Sequence, residues 1–285
     1  MTRRLLLGLA LLIAAGSASA DWAINMPQGV SEMSLQTYRL HMQVFWWCVA
    51  IGIVVFAVMI YTMVKHRRSR GHQAAQFHHN TKLEVVWTAI PVLILLIMAV
   101  PAAETLVELE YNQNPDLTVV VTGYQWRWHY DYPDHDISFF SSLDARSNQA
   151  RRKRSGIDPY QVENYLLEVD NPLVVPRGAK VRVLITSKDV IHAWWVPALA
   201  IKKDAIPGFM NAVWFRAEES GTYRGQCAEL CGMDHAYMPV VVEVVEPEAF
   251  AAWVEAQRGG EAAQAASDQA AAATRIAARH DIAGD

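Results

Sequence analysis

Cysteine is nearly absent, with three residues in a chain of 285. One intrachain bridge would use two of them and leave a thiol over, too little for a disulfide scaffold. No Cys-x-x-Cys-His occurs, which excludes a covalently attached c-type haem. Charge is sparse as well. Only 19% of residues are Asp, Glu, Lys or Arg and the formal net charge is −4, so nothing in the total points to nucleic acid. There is no internal repeat. What abounds is apolar, 52% of the residues, and these are gathered into runs.

Residues 1–20 read as a secretory signal. Arg3 and Arg4 form its basic start, Leu5 to Ala15 its apolar stretch, and Ala18-Ser19-Ala20 its small-residue cleavage site. Val44 to Val64 then carries no formal charge, and at about 1.5 Å per residue it covers roughly the 30 Å of a bilayer's hydrocarbon. Val85 to Ala103 is a second uncharged run. Between them lie Lys65, Arg67, Arg68, Arg70 and Lys82, whereas residues 21–43 hold a single base, Arg39. The positive-inside rule places this loop in the cytoplasm and both flanks outside, in agreement with the signal. Cys48, inside the first run, reads as a small packing residue. His66, His72, His78 and His79 read as polar loop residues whose spacing makes no convincing metal site.

Beyond about Asn112 the pattern becomes short β-type runs: Leu117 to Val121, Tyr165 to Val169, Lys180 to Thr186, Ala212 to Ala217 and Val240 to Val245. Asn171-Pro172, Pro176-Arg177-Gly178, Pro207-Gly208 and Ser220-Gly221 punctuate them. A small antiparallel sandwich or barrel is expected. Ser141 to Asp158 reads as a polar insertion with a basic cluster, Arg151-Arg152-Lys153-Arg154. The expected organisation is a signal peptide (1–20), a transmembrane hairpin (21–110, helices about 42–65 and 82–108), an all-β domain (111–247), then a short helix and a flexible tail (248–285).

The chemistry is concentrated in one loop. Cys227, Cys231, His235 and Met238 fall within twelve positions. Thiolate, imidazole and thioether suit copper; Mg²⁺ and Ca²⁺ would not use them, and Zn²⁺ gains nothing from Met238. A Cys227–Cys231 disulfide is the structural alternative in an oxidising compartment. His192, in the apolar segment Asp189 to Pro197, is a candidate distant ligand.

The two-helix anchor, the Cys-x-Glu-x-Cys-x-x-x-His-x-x-Met loop and the Asp189-Val190-Ile191-His192 segment together resemble subunit II of bacterial haem-copper cytochrome c oxidase of the aa3 type. The likeness covers roughly residues 30 to 250. It implies a cupredoxin-like domain holding a binuclear copper centre, CuA, with Cys227 and Cys231 as bridges. His192, His235, Met238 and the backbone carbonyl of Glu229 complete the ligand set. It also implies that the Glu229 side chain reaches a Mg²⁺ or Mn²⁺ shared with subunit I. The partners implied are subunit I with its haems and second copper site, subunit III, membrane lipid and cytochrome c as donor, in a bacterial inner membrane with the β-domain on the periplasmic side.

Gly123 to Tyr130 alternates aromatic and polar residues with period two. On its own this reads as one aromatic face of a strand packing on a core; the resemblance makes Trp126 the electron entry point. Asp131, Asp134, Asp136, Asp170 and Asp189 are candidate docking acids for a basic cytochrome c. Thr81-Lys82-Leu83-Glu84 fits a capping box, while the resemblance sets Glu84 at the entrance of a proton pathway into subunit I. The expected activity is electron transfer from cytochrome c toward the reduction of O₂ to water coupled to proton pumping. The alternative class is a membrane-anchored copper-delivery protein, which uses Cys-x-x-x-Cys with a distant His but needs neither His235, Met238 and Glu229 nor a second helix. A quinol-oxidase form would lack the ligands present here, and nitrous oxide reductase would add a large propeller that this chain lacks.

Overall fold

The computed structural model describes residues 25–259 apart from 72, 74, 75 and 77. The expected signal at residues 1–20, His72, and the tail from residue 260 lie outside the described residues.

Two long helices come first. Helix α1, Glu32–Lys65, starts well before the expected residue 42, because a polar segment precedes the apolar run and is capped at its own beginning. Ser31 closes that start by a capping box with Ser34, and its Oγ donates 2.8 Å to the carbonyl of Leu199 in the β-domain. Helix α2, Thr81–Glu110, is capped one residue earlier than the sequence suggested. Asn80 is the cap: its side chain accepts from the Leu83 N–H at 3.2 Å, and Glu84 accepts from the Asn80 N–H at 3.2 Å. The Thr81 capping box is corrected accordingly. Asn is among the best cap residues, and it outcompetes Thr81 here. Both helices are long and apolar enough to cross a membrane. Their apolar side chains, such as Ile53, Val54, Leu95 and Leu96, lie open on the surface of the chain, which water would penalise and lipid would not.

The remaining strands are β1 (Leu117–Tyr124), β2 (Arg127–Tyr132), β3 (Ile137–Ser141), β4 (Leu173–Pro176), β5 (Val181–Ser187), β6 (His192–Val196), β7 (Ile201–Ala205), β8 (Asn211–Phe215), β9 (Gly221–Cys227) and β10 (Pro239–Val245). A short helix α3, Ala145–Ala150, lies between β3 and β4, and α4 spans 247–259. They form two five-stranded sheets, β3-β2-β1-β5-β8 and β4-β10-β9-β6-β7. The expected sandwich is present, but it is mixed and not purely antiparallel: β1 runs parallel to β5 and β4 to β10. Tyr165 to Val169, expected as a strand, is a turn region with one bridge, Leu143 to Val169. Asn164 and Leu166 adopt left-handed backbone there, which no strand tolerates.

The expected aromatic face is real. Trp128, Tyr130 and Tyr132 on β2 are fully buried together with Trp194 and Phe215. Their polar tips tie the sheets across the core, where an unpaired hydroxyl or indole N–H would be costly. Tyr132 Oη donates to the Val174 carbonyl at 2.8 Å and accepts from the Val174 N–H at 3.0 Å. Trp128 Nε1 donates to the Met238 carbonyl at 3.3 Å.

The helices join the sandwich without a free linker. Trp214 Nε1 donates to the Glu108 carbonyl at 3.1 Å. Lys180, almost fully buried, donates to the carbonyls of Tyr111 and Gln113 at 3.1 and 2.8 Å and lies over the Tyr111 and Trp214 rings. Orphan carbonyls at a helix C-terminus favour such a cation. Replacing Lys180 with Met should therefore destabilise the detergent-solubilised protein by about 1–3 kcal/mol, read as a lower denaturation midpoint. An unchanged midpoint would mean that the other contacts, Trp214 with Glu108 and Ser31 with Leu199, suffice for the joint.

Candidate metal centre

The site grows from one strand pair. Strands β6 and β9 are antiparallel with Trp194 opposite Cys227. His192, which opens β6, therefore lies beside the loop that leaves β9 after Cys227. The strands approach so closely at Gly225 that any Cβ there would overlap the Trp195 carbonyl oxygen. The loop then runs through a 3₁₀ turn, His235–Tyr237, and returns into the core at Pro239 on β10.

Around the two sulphurs the other candidates converge. Cys227 Sγ is 3.8 Å from Cys231 Sγ, 3.9 Å from His192 Nδ1 and 3.4 Å from the Glu229 carbonyl oxygen. Cys231 Sγ is 3.5 Å from His235 Nδ1 and 3.6 Å from Met238 Sδ. Both cysteines are free thiols, so the disulfide alternative does not describe this geometry. His192 is buried completely, and Cys227, Cys231 and Met238 nearly so. His192, Cys227 and Cys231 alone bring three ligand atoms within 4.8 Å of one another.

The electrostatics fit a cation at this place. Burial works against a Cys227 thiolate, but hydrogen bonding with His192, the backbone at Ala193 and Glu229, and His235 draws its pKa down to about 7. Cys231 is pushed up to about 12, first by burial and then by the negative charge of Cys227 beside it. Two thiolates this close repel in a poorly solvated place. Positive charge between them removes that conflict, and soft sulphur with imidazole and thioether selects copper over harder ions.

A supporting layer holds the ligands. Asp189, expected among the docking acids, is exposed and also reaches the histidine: Oδ1 lies 2.9 Å from His192 Nε2 and accepts from the Val190 N–H, while Oδ2 accepts from the Gln125 N–H at 2.7 Å. Burial alone would raise the Asp189 pKa, yet these bonds hold it below the usual carboxylate range. His192 thus faces the sulphurs with Nδ1 and the carboxylate with Nε2, the arrangement that fixes a ligating imidazole's tautomer. Its ring lies against Trp128 and against Gly123, where a Cβ would come within 2.7 Å of Cδ2. Sequence reasoning missed this role of Asp189. Its position three residues before a candidate ligand was the available signal, but only the loop's turn aims it.

Trp126 sits in the β1–β2 turn, half-buried, and its Nε1 donates to the Cys231 carbonyl at 3.2 Å; Gln125 Nε2 donates to the same oxygen at 2.9 Å. Sequence reasoning did not single out Gln125. The Glu229 carboxylate is exposed. Asp131, Asp134 and Asp136 cluster around the β2–β3 turn, at the other end of β2 from Trp126. Asp170 is exposed and accepts from the Ser142 N–H at 2.7 Å; Ser142 lines the same small cavity as Trp126. Glu84 belongs to the far end of α2, and Cys48 is exposed in α1; neither joins the cluster.

The chain has similar proteins along most of its length. Residues 117–245 match the family model of the cytochrome c oxidase subunit II periplasmic domain, and residues 19–104 match that of its transmembrane domain. The chain is 39% identical to a probable cytochrome c oxidase subunit 2 of Rickettsia bellii over 87% of this chain and 90% of the relative. It is 38% identical to cytochrome c oxidase subunit 2 of Cereibacter sphaeroides over 89% and 90%. A crystal structure of the periplasmic domain of cytochrome oxidase subunit II from Bradyrhizobium japonicum is similar at 44% identity. It covers 52% of this chain and 96% of that one, with a TM-score of 0.44.

Replacing Asp189 with Ala should weaken copper binding roughly 10- to 100-fold, the usual effect of losing the partner of a ligating histidine. Competition with a copper chelator measures it, and undiminished affinity would show that His192 needs no carboxylate.

Proposed function

Given that the chain belongs to the cytochrome c oxidase subunit II family and is thereby a membrane-anchored subunit of a haem-copper oxidase, we propose that it receives electrons from cytochrome c at a binuclear CuA centre. The observation that carries this reading is the convergence of both sulphurs, both imidazoles, the Met238 thioether and the Glu229 carbonyl from segments 35 residues apart. A copper-delivery protein needs only the Cys pair and one distant His. When bound, the copper pair supplies one-electron chemistry, taking electrons from the donor and giving them to subunit I for reduction of O₂ to water and proton pumping.

The protein's own part is to hold these ligands in place before any electron arrives. Cys227, Cys231, His192, His235, Met238 and the Glu229 carbonyl would hold the copper, which would supply one-electron transfer there. The β-sandwich supplies a cage with little freedom to rearrange, because the ligands hang from strand ends and from bonds to Trp126, Gln125 and Trp128.

Trp126 is the entry point for electrons in this reading. It is partly exposed and donates from its indole N–H to the carbonyl of Cys231. Asp131, Asp134, Asp136 and Asp170 attract a basic donor, an effect that fades as salt shortens the Debye length. Asp189, also exposed, belongs with them while supporting His192 through Oδ1. Glu84 opens a proton path into subunit I, in addition to its bond to the Asn80 N–H. The exposed Glu229 carboxylate holds Mg²⁺ or Mn²⁺ jointly with subunit I, as a hard ligand would. Leu230 and Met233 on the loop are 78% and 84% exposed, an apolar surface suited to partner subunits, among them subunits I and III. The β-domain and the N-terminal side face the periplasm, with the basic loop after α1 in the cytoplasm of the bacterial cell.

Purified oxidase carrying this chain should give a seven-line mixed-valence copper resonance, and Cys227→Ser should abolish it with loss of two coppers per complex. A single-copper spectrum in the wild type would favour delivery instead. In stopped-flow mixing with reduced cytochrome c, Trp126→Phe should slow electron entry severalfold while the copper signal persists; a wild-type rate would remove this route. Glu229→Ala should lower bound Mn²⁺, and Glu84→Ala should slow proton uptake on reduction of subunit I. Wild-type values would leave these acids with their local roles alone.

A further inference from the structure

The basic insertion between β3 and β4 has one arginine that behaves unlike its neighbours. Arg152, Lys153 and Arg154 are exposed, but Arg151 folds back onto the ligand loop. Its Nη1 and Nη2 donate to the two carboxylate oxygens of Asp234 at 3.0 and 3.2 Å. Its guanidinium carbon lies 4.2 Å from the centroid of the Tyr237 ring, and Nε donates to Asn148 Oδ1 at 2.8 Å. The group is thus held on three sides. Both partners in the ion pair are about three-quarters covered, with 24% and 25% exposure, and the forked geometry is the strong form of such pairs.

Asp234 and Tyr237 bracket His235, and Met238 follows directly. The same turn is closed by the Tyr237 N–H donating to the Asp234 carbonyl at 2.9 Å. Arg151, Asp234, Tyr237 and Trp126 also line one cavity of about 120 Å³, so the arginine touches the ligand turn and the surroundings of the tryptophan together.

The insertion does not need this contact to stay in place. Its base is tied by reciprocal bonds between Ser142 and Asp170, by the Asp144 N–H to the Glu168 carbonyl at 3.0 Å, and by the Arg224–Glu168 ion pair at 2.7 Å. Helix α3 is capped by Asp144, and the Arg151 N–H returns to the Ser147 carbonyl. What Arg151 adds at the tip is a grip on the segment that presents His235 and Met238.

We propose that Arg151 is a positioning residue for the metal centre, clamping the turn that carries His235 and Met238 through Asp234 and Tyr237. It thereby sets the potential and spectrum of the bound copper and the rate at which the donor delivers electrons. The proposal rests on the copper reading above and deepens it. Loss of the clamp frees the histidine and thioether side of the cage while the bridging cysteines stay fixed by β9.

The test uses purified oxidase bearing Arg151→Ala, Arg151→Lys, Asp234→Asn or the Arg151→Ala/Asp234→Asn pair. Wild-type copper content comes first: a wild type with no copper beyond that of subunit I would sink the copper reading itself, separately from this proposal. With copper retained, Arg151→Ala should raise amide exchange across residues 233–238 roughly tenfold or more, leaving 142–144 and 168–170 unchanged. It should also change the copper hyperfine pattern and midpoint potential. Arg151→Lys, a cation without the fork, should recover part of both effects. The pair should be no worse than Arg151→Ala, as two halves of one contact require. Wild-type exchange and spectrum in Arg151→Ala would overturn the proposal. So would exchange raised equally across the insertion with an unchanged potential, since Arg151 would then be only a fold contact.

Discussion

The pairing of β6 with β9 is the constraint on which the candidate site depends. Trp194 opposite Cys227 sets how far His192 and the loop after Cys227 can drift relative to one another. Gly225 permits the close backbone approach that makes this pairing tight. The aromatic tips then fasten that sheet to the other: Tyr132 to the Val174 backbone, Trp128 to the Met238 carbonyl, and Trp126 with Gln125 to the Cys231 carbonyl. A ligand loop of irregular backbone is thereby held at several points along its length. Buried backbone groups that would otherwise be unpaired supply the means.

The parts legible in the sequence were those with a local cause. The two uncharged runs announced the helices by length, and the close spacing of Cys227, Cys231, His235 and Met238 announced a cluster whose side chains do converge. The alternation from Gly123 to Tyr130 named a core face that holds for Trp128 and Tyr130, while Tyr124 and Trp126 are only partly buried. Non-local features were hidden. The parallel partners of β1 and β4 lie far away in sequence, and no alternation pattern distinguishes a parallel neighbour from an antiparallel one. Tyr165 to Val169 has the composition of a strand, yet left-handed backbone at Asn164 and Leu166 makes it a turn. Asp189 looked like one surface acid among several until the loop aimed it at His192. The early start of α1 went unread although its cap is local, Ser31 and Ser34 closing on one another; only the bond from Ser31 to the Leu199 carbonyl is non-local.

The insertion shows the same dependence from the other side. As a run of bases it suggested only charge. In place, its members divide: Arg151 is paired and about three-quarters covered while the three that follow remain exposed. Cluster chemistry is decided side chain by side chain, according to which carboxylates and rings the fold brings within reach.

The joint between helices and sandwich has a mechanical meaning. α1 begins on Ser31 against the Leu199 carbonyl, and α2 ends on carbonyls gripped by Trp214 and Lys180. No slack segment separates the lipid-facing helices from the ligand-bearing strands. A helix accommodates a thinner or thicker bilayer by changing its tilt. In this chain the ends of both helices nearest the sandwich are hydrogen-bonded into it, so a change of tilt would load those bonds and not a free hinge.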